Sequence, residues 1–371
     1  MTHRLGLLAL GCALLMATWP AEAFKKKKED ETQTLQVPKD PPAAVVAETR
    51  RLVFHVTPLS GKGLLSQQVR DALKALSHAT GSASVVKLRA FVAGSGDVRR
   101  VKEIVSATFT DRRQPIPALS VIQVGALPLE GAQVVLESVA VARKDVNDRG
   151  LAFLSGQGAT SANPLDPVLP LAEKSLAALR TAVKDAGSES DDVLRVTCFL
   201  SSLDNSQAVR QLFVAAYPKA AFDYMQVERA PVRAGVECEA VARLRWNTGK
   251  ALHMVNPEDL PKSPNYAQIA LVSSPKVVLT GAQVSFGFQE TDARLAFQRL
   301  DKALEQFGTS LHQAAMVQLY PLSQSLAEQA RKVRVEFYEA ARPPASTMLT
   351  FEGLPSMDAG FAVDAVAVTE R

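Results

Sequence analysis

The chain has 371 residues, of which 47% are hydrophobic and 22% charged, and its formal net charge is +4. That length allows two or three ordinary domains with real cores. The small, scattered charge argues against a nucleic-acid groove, and nothing beyond the N-terminal apolar run approaches the ~20 residues of a membrane span.

Residues 1–23 read as a secretory signal peptide. Arg4 supplies the positive start, 5–17 the apolar core, and Ala21-Glu-Ala23 the small-residue cleavage pattern. Cleavage after Ala23 predicts a secreted or periplasmic protein. A lipoprotein with its lipid on Cys12 is the second reading. Residues 24–49 hold Lys25 to Lys28, an acidic patch, and Pro38, Pro41 and Pro42, and they predict a disordered charged tether. Cleavage leaves Cys198 and Cys238, each in an apolar strand-like run. Two buried free thiols are expected there, although export would permit a disulfide.

From residue 50 one plan runs three times. Strands at 51–57, 151–154 and 277–280 open the copies. Helices follow with apolar faces Val69/Leu73/Leu76, Leu176/Leu179/Val183 and Leu300/Leu304/Phe307, ending at Gly81, Gly187 and Gly308. Second strands come at 85–92, 193–200 and 314–320. Second helices then carry Val98/Val101/Val105, Val209/Leu212/Ala216 and Leu326/Ala330/Val333/Phe337. Two closing strands complete each copy, separated by Leu127-Pro128, Ala230-Pro231 or Leu354-Pro355. The chain is thus expected to be α+β, with ββαβαββ units at 50–144, 148–247 and 263–371 and a linker at 248–262. Two helices can cover only one face of each sheet. The other faces are expected to meet around a pseudo-threefold axis, helices outward.

The last strand of each copy carries an acid within an apolar run. The three are Glu137 in Val135-Leu-Glu-Ser-Val-Ala-Val141, Glu239 in Val236-Glu-Cys-Glu-Ala-Val-Ala242 and Asp364 in Ala362-Val-Asp-Ala-Val-Ala-Val368. Apolar neighbours on both sides predict a strand buried on two faces, where an unpaired charge is costly.

These motifs resemble the Rid (YjgF-type) reactive-intermediate deaminases, also called the L-PSP endoribonuclease-like family, with its chorismate-mutase-like fold. The second copy has Ser155-Gly156-Gln157, Asp192-Val193-Leu194 and the Val236 run. The third has Pro264-Asn-Tyr266-Ala-Gln268, Thr280-Gly281-Ala-Gln283 and Leu354-Pro355. The first has Pro117-Ala118-Leu119-Ser120-Val121, Leu127-Pro128 and Leu136-Glu137. The resemblance implies a family trimer fused into one chain, an intramolecular pseudotrimer that is monomeric and has small-molecule clefts between its units. It also implies hydrolysis of imines or enamines, with an arginine holding a substrate carboxylate and the second glutamate of the last strand placing water. The acid positions are Glu137, Glu239 and Asp364. The arginine positions hold Leu119, Phe222 and Ser346, so no copy keeps the guanidinium fork. Tyr266 matches the family tyrosine. Arg229 and Arg233 are the candidate substitute cations.

Other chemistry finds little support. His3, His55, His78, His253 and His312 have no metal-ligand spacing. Ser60-Gly-Lys62-Gly lacks the rest of a phosphate loop, and Leu154-Ser-Gly-Gln-Gly158 is not a nucleophile elbow. No cofactor, metal or nucleic-acid partner is expected. Two functions stay open, a divergent deaminase and a non-catalytic ligand-binding or scaffold protein. An endoribonuclease-like activity ranks third.

Overall fold

The structure, a computed structural model, describes residues 39–94 and 96–369. The expected signal peptide, Cys12 and the tether up to residue 38 lie outside the described residues. No described helix is long and apolar enough to cross a membrane.

The elements follow the repeated plan. After β1 (Ala44–Glu48) come β2 (Leu52–Val56), α1 (Leu65–Thr80), β3 (Ser84–Val92), α2 (Arg99–Asp111), β4 (Ala118–Gln123) and β5 (Val134–Val141). Next are β6 (Leu151–Ser161), α3 (Val168–Asp185), β7 (Val193–Leu200), α4 (Ser206–Ala216), β8 (Ala221–Gln226) and β9 (Ala234–Arg243). The remainder is β10 (Leu252–Val255), β11 (Ile269–Val272), β12 (Lys276–Thr280), β13 (Gln283–Phe286), α5 (Glu290–Glu305), β14 (Ala314–Pro321), α6 (Gln324–Arg334), β15 (Ala345–Met348) and β16 (Ala359–Thr369).

One strand order recurs in three sheets. The first runs β2-β5-β3-β4, the second contains β6-β9-β7-β8, and the third contains β12-β16-β14-β15. In each, the fourth strand lies parallel to the third and the other pairings of this core are antiparallel.

The sheets also exchange edges, which the repeat did not predict. β1 falls inside the expected tether, yet it pairs antiparallel with β12 and completes the third sheet. The prolines that suggested disorder end at Pro42, and Ala44-Val-Val-Ala47 beyond them is apolar enough to cover an exposed edge. β11, from the third copy, pairs with β6 in the second sheet, and β10, from the expected linker, pairs with β11.

Alternation along the strands sorts the side chains between two faces. Leu88, Ala90 and Val92 of β3 and Leu136 of β5 pack with α1 and α2 in one core. Lys87, Arg89, Phe91 and Glu137 therefore point to the opposite face. The same alternation in β7 and β9 buries Val196, Cys198, Leu200, Val236 and Cys238 with α3 and α4. In β14 and β16 it buries Val317, Leu319, Val363 and Ala365 with α5 and α6. The opposite faces of the three sheets share two further cores. Phe91, Phe199 and Tyr320 lie in one, and Val139, Val241, Met316 and Val368 in the other.

The cysteines correct an expectation, because Cys198 and Cys238 form a disulfide rather than two free thiols. They sit directly opposite each other on β7 and β9 with Cα atoms 4.2 Å apart, a spacing at which side chains on one face can meet.

Candidate functional site

The three acids lie at the buried meeting of the sheets, where Glu137 and Asp364 border a cavity of only about 40 Å³. Glu137, Glu239 and Asp364 are 1%, 1% and 2% exposed. Their cross-strand partners are Arg89 on β3, Thr197 on β7 and Gln318 on β14, so the acids occupy matching positions. Arg89 donates from Nε to Glu137 at 2.5 Å and from Nη2 to Glu239 at 2.7 Å. Gln318 donates to Glu239 at 2.7 Å, and Thr197 donates to Glu137. Lys87 reaches Asp364 at 3.0 Å and Ser120 at 2.6 Å, and Ser120 donates to Asp364. Arg195 lies 3.6 Å from Glu137 and 3.4 Å from Glu239. Arg89 of the first sheet thus binds an acid of the second, and Lys87 of the first binds an acid of the third.

Burial alone would raise the Glu137 carboxyl, but Arg89 and Arg195 outweigh it and bring it down to about 2. Asp223 goes the other way. Burial and the charge on Glu137 push its carboxyl well above the usual range, so Asp223 is a neutral acid beside a carboxylate. Lys87, Arg89 and Arg195 thus pair with Glu137, Glu239 and Asp364. This pattern fits a structural crosslink in which each acid is ion-paired across the sheets. The signal for it was present in sequence, since Lys87, Arg89 and Arg195 also sit inside apolar strands.

The arginine positions part company. Leu119 accepts a backbone hydrogen bond from Ala282 at 3.2 Å, and a Cβ on Gly281 would come within 2.8 Å of the Leu119 oxygen. That junction is closed backbone to backbone. Phe222 stacks between Phe213 and Tyr224, with ring centroids 5.7 and 5.5 Å away, and packs against the helix-side core. Arg229 turns to the surface, where its backbone N donates to Glu352 at 2.9 Å and Nη2 to the Gly94 carbonyl at 3.4 Å. Ser346 and Tyr266, by contrast, sit on adjoining segments, joined by a bridge between Ala267 and Ala345. The Ser346 N donates to Ser155 Oγ at 2.8 Å, while Tyr266 hydrogen-bonds Gln268 and lies within electrostatic reach of Glu237.

Glu237 is the carboxyl that sequence reasoning passed over. It sits two residues before Glu239 on the same face of β9. β6 is irregular between Leu154 and Gln157, and Gly156 and Gly158 leave a slot for this side chain. A Cβ on Gly156 would collide with Glu237 Oε1, and one on Gly158 would stand 3.2 Å from Oε2. The equivalent residues in the other sheets are Val135 and Ala362, which leaves this the one junction with a carboxyl here. Glu237 borders a cavity of about 420 Å³. The ends of β7 and β9 form one wall, with Phe199 and Arg233. α6 and β15 form the other, with Arg331 and Met348. Burial, helped by the charge on Glu239 and opposed by Arg331, pushes the Glu237 carboxyl up to about 8. At neutral pH it carries a proton it can donate and recover. Among the described residues, no three His, Cys, Asp or Glu side chains are grouped to hold a metal ion.

This cavity sits on a recognisable scaffold. Residues 143–244 match the family model described as Endoribonuclease L-PSP. The match covers the second of the three repeated copies. Similar solved structures include a Rid-family protein of unknown function from Yersinia pestis, 18% identical over 32% of this chain and 100% of that one, with a TM-score of 0.30. A YjgF-family member from Neisseria meningitidis is 13% identical over 32% and 96% of the two chains, with a TM-score of 0.25. A putative endoribonuclease from Thermotoga maritima is 20% identical over 32% and 98%, with a TM-score of 0.24. No curated protein matches the chain.

Proposed function

We propose that the chain is an exported, triplicated Rid-type protein folded as an intramolecular pseudotrimer, sheets inward and helices outward, which binds one small molecule in the cleft at Glu237. The recurring strand order and the ion pairs between sheets support the fused arrangement. The disulfide at Cys198 and Cys238 supports export to an oxidising compartment, in line with the N-terminal leader.

The observation that carries the functional reading is Glu237, held in a glycine slot beside a cavity with its carboxyl near 8. A group of that acidity suits hydrolysis of an imine. Its carboxyl protonates the imine nitrogen, and the carboxylate left behind takes a proton from the attacking water. The carbinolamine then loses ammonia and leaves a carbonyl, so the substrate gains one water and releases one ammonia. The sealed junction at Leu119 and the filled position at Phe222 argue for one working cleft rather than three.

The test is ammonia release from enzymatically generated 2-iminobutyrate. Wild type should turn over, and Glu237→Gln should lose at least about a hundredfold, the usual scale of general acid–base catalysis. Equal turnover by Glu237→Gln, or none by wild type, would reject catalysis here. The second reading, a binding protein without chemistry, is favoured by the missing arginines at Leu119, Phe222 and Ser346, and it predicts ligand binding without ammonia.

A further inference from the structure

Arg334, near the end of α6, is 3% exposed, and its Nε has no partner. Its Nη1 makes a 3.5 Å contact with Ser346 Oγ, which does not satisfy a buried guanidinium. The glutamates that follow it in sequence, Glu336 and Glu339, pair with Arg294 and Arg342 instead. A buried arginine without an acid is costly unless an anion meets it. The surroundings supply further donors. Tyr338 is buried with its hydroxyl unpartnered, and Tyr266 is within electrostatic reach of both this guanidinium and Glu237. Arg331, one turn earlier on α6, adds positive charge and borders the cavity.

We propose that Arg334, Tyr338 and Ser346, with Tyr266 nearby, form a binding site for the anionic group of a small organic molecule, a carboxylate or a phosphate. Ser346 stands where the family motif would have its arginine. Here the guanidinium reaches that place from a helix, through a residue outside the motif. A planar carboxylate would take Arg334 Nε and one Nη side by side and the phenol hydroxyls at its free lone pairs. The inference rests on the cleft reading and names the anionic group of its ligand; Arg331 and Met348, three and two residues from Arg334 and Ser346, border the Glu237 cavity.

The experiment measures thermal stability of wild type, Arg334→Met and Arg334→Lys at fixed chloride. Sodium propionate, 2-oxobutyrate or inorganic phosphate is titrated into each. Wild type should gain a saturable rise in Tm with the carboxylates or with phosphate, and which series does so names the anion. Arg334→Met should melt higher than wild type without anion, since the bare charge is gone, and should show no anion-dependent rise. Arg334→Lys, which keeps the charge and loses the fork, should bind at least about tenfold more weakly. An Arg334→Met protein that responds as wild type does, or an Arg334→Lys protein of unchanged affinity, would overturn the proposal. So would a wild type indifferent to all the anions. An intact anion response without ammonia release would instead sink the hydrolytic reading alone.

Discussion

Replacing Glu239 with glutamine keeps the side chain's volume and removes one charge from the buried centre. Glu239 Oε1 accepts from Arg89 and Gln318, each at 2.7 Å, with Arg195 at 3.4 Å. In the variant, three cations would face Glu137 and Asp364 alone. Removing one partner of a buried ion pair typically costs about 3–5 kcal/mol. Asp223 should soften the loss, because its neutral carboxyl can ionise once the local charge turns positive. The expected destabilisation is therefore near the lower end, about 3 kcal/mol, and smaller as pH rises. Urea unfolding followed by circular dichroism and Trp246 fluorescence measures it. At low denaturant the folded variant should still bind 2-oxobutyrate. An unchanged unfolding midpoint together with lost binding would refute the reasoning and return Glu239 to the ligand site.

Two further outcomes follow from the slot at Glu237. Gly156→Ala puts a methyl group against Oε1, so ligand binding or turnover should fall about tenfold or more, with the unfolding midpoint shifted by less than about 2 kcal/mol. Stability should also depend on pH through this group. Its folded carboxyl lies near 8 against an ordinary 4.5, so the stability it contributes is full below 4.5 and lost as pH rises through about 8. Midpoints measured across pH 5–9 should decline less for Glu237→Gln than for wild type. Parallel declines would remove Glu237 as their source.

Much of the fold was legible because helix and strand periods repeat in register. Val69, Leu73 and Leu76 placed α1, and 193–200 matched β7 to the residue. What stayed hidden depends on partners far away in sequence. β1 is a strand because β12 offers an edge, which nothing in residues 39–49 reveals. The acids of the closing strands stood out as polar residues in apolar runs. Their cations, Lys87 and Arg89, lie in β3, a strand whose apolar residues drew attention first. Knowing that Glu137 faces Arg89, and Glu239 both Arg89 and Arg195, would have marked the acids as structural. It would also have moved attention two residues along β9 to Glu237. Phe222 was legible as a lost arginine but not as the middle of an aromatic stack, since Phe213 lies on a different element. Arg334 gave no signal at all. It reads as an ordinary charged residue at a helix end, and only its burial beside Ser346 shows otherwise.

The central claim, one working cleft in a chain that folds alone, is tested most directly by ligand stoichiometry. Equilibrium dialysis of the full-length, processed protein against radiolabelled 2-oxobutyrate should saturate at one molecule per chain. Saturation at three per chain, or no saturable binding, would contradict it.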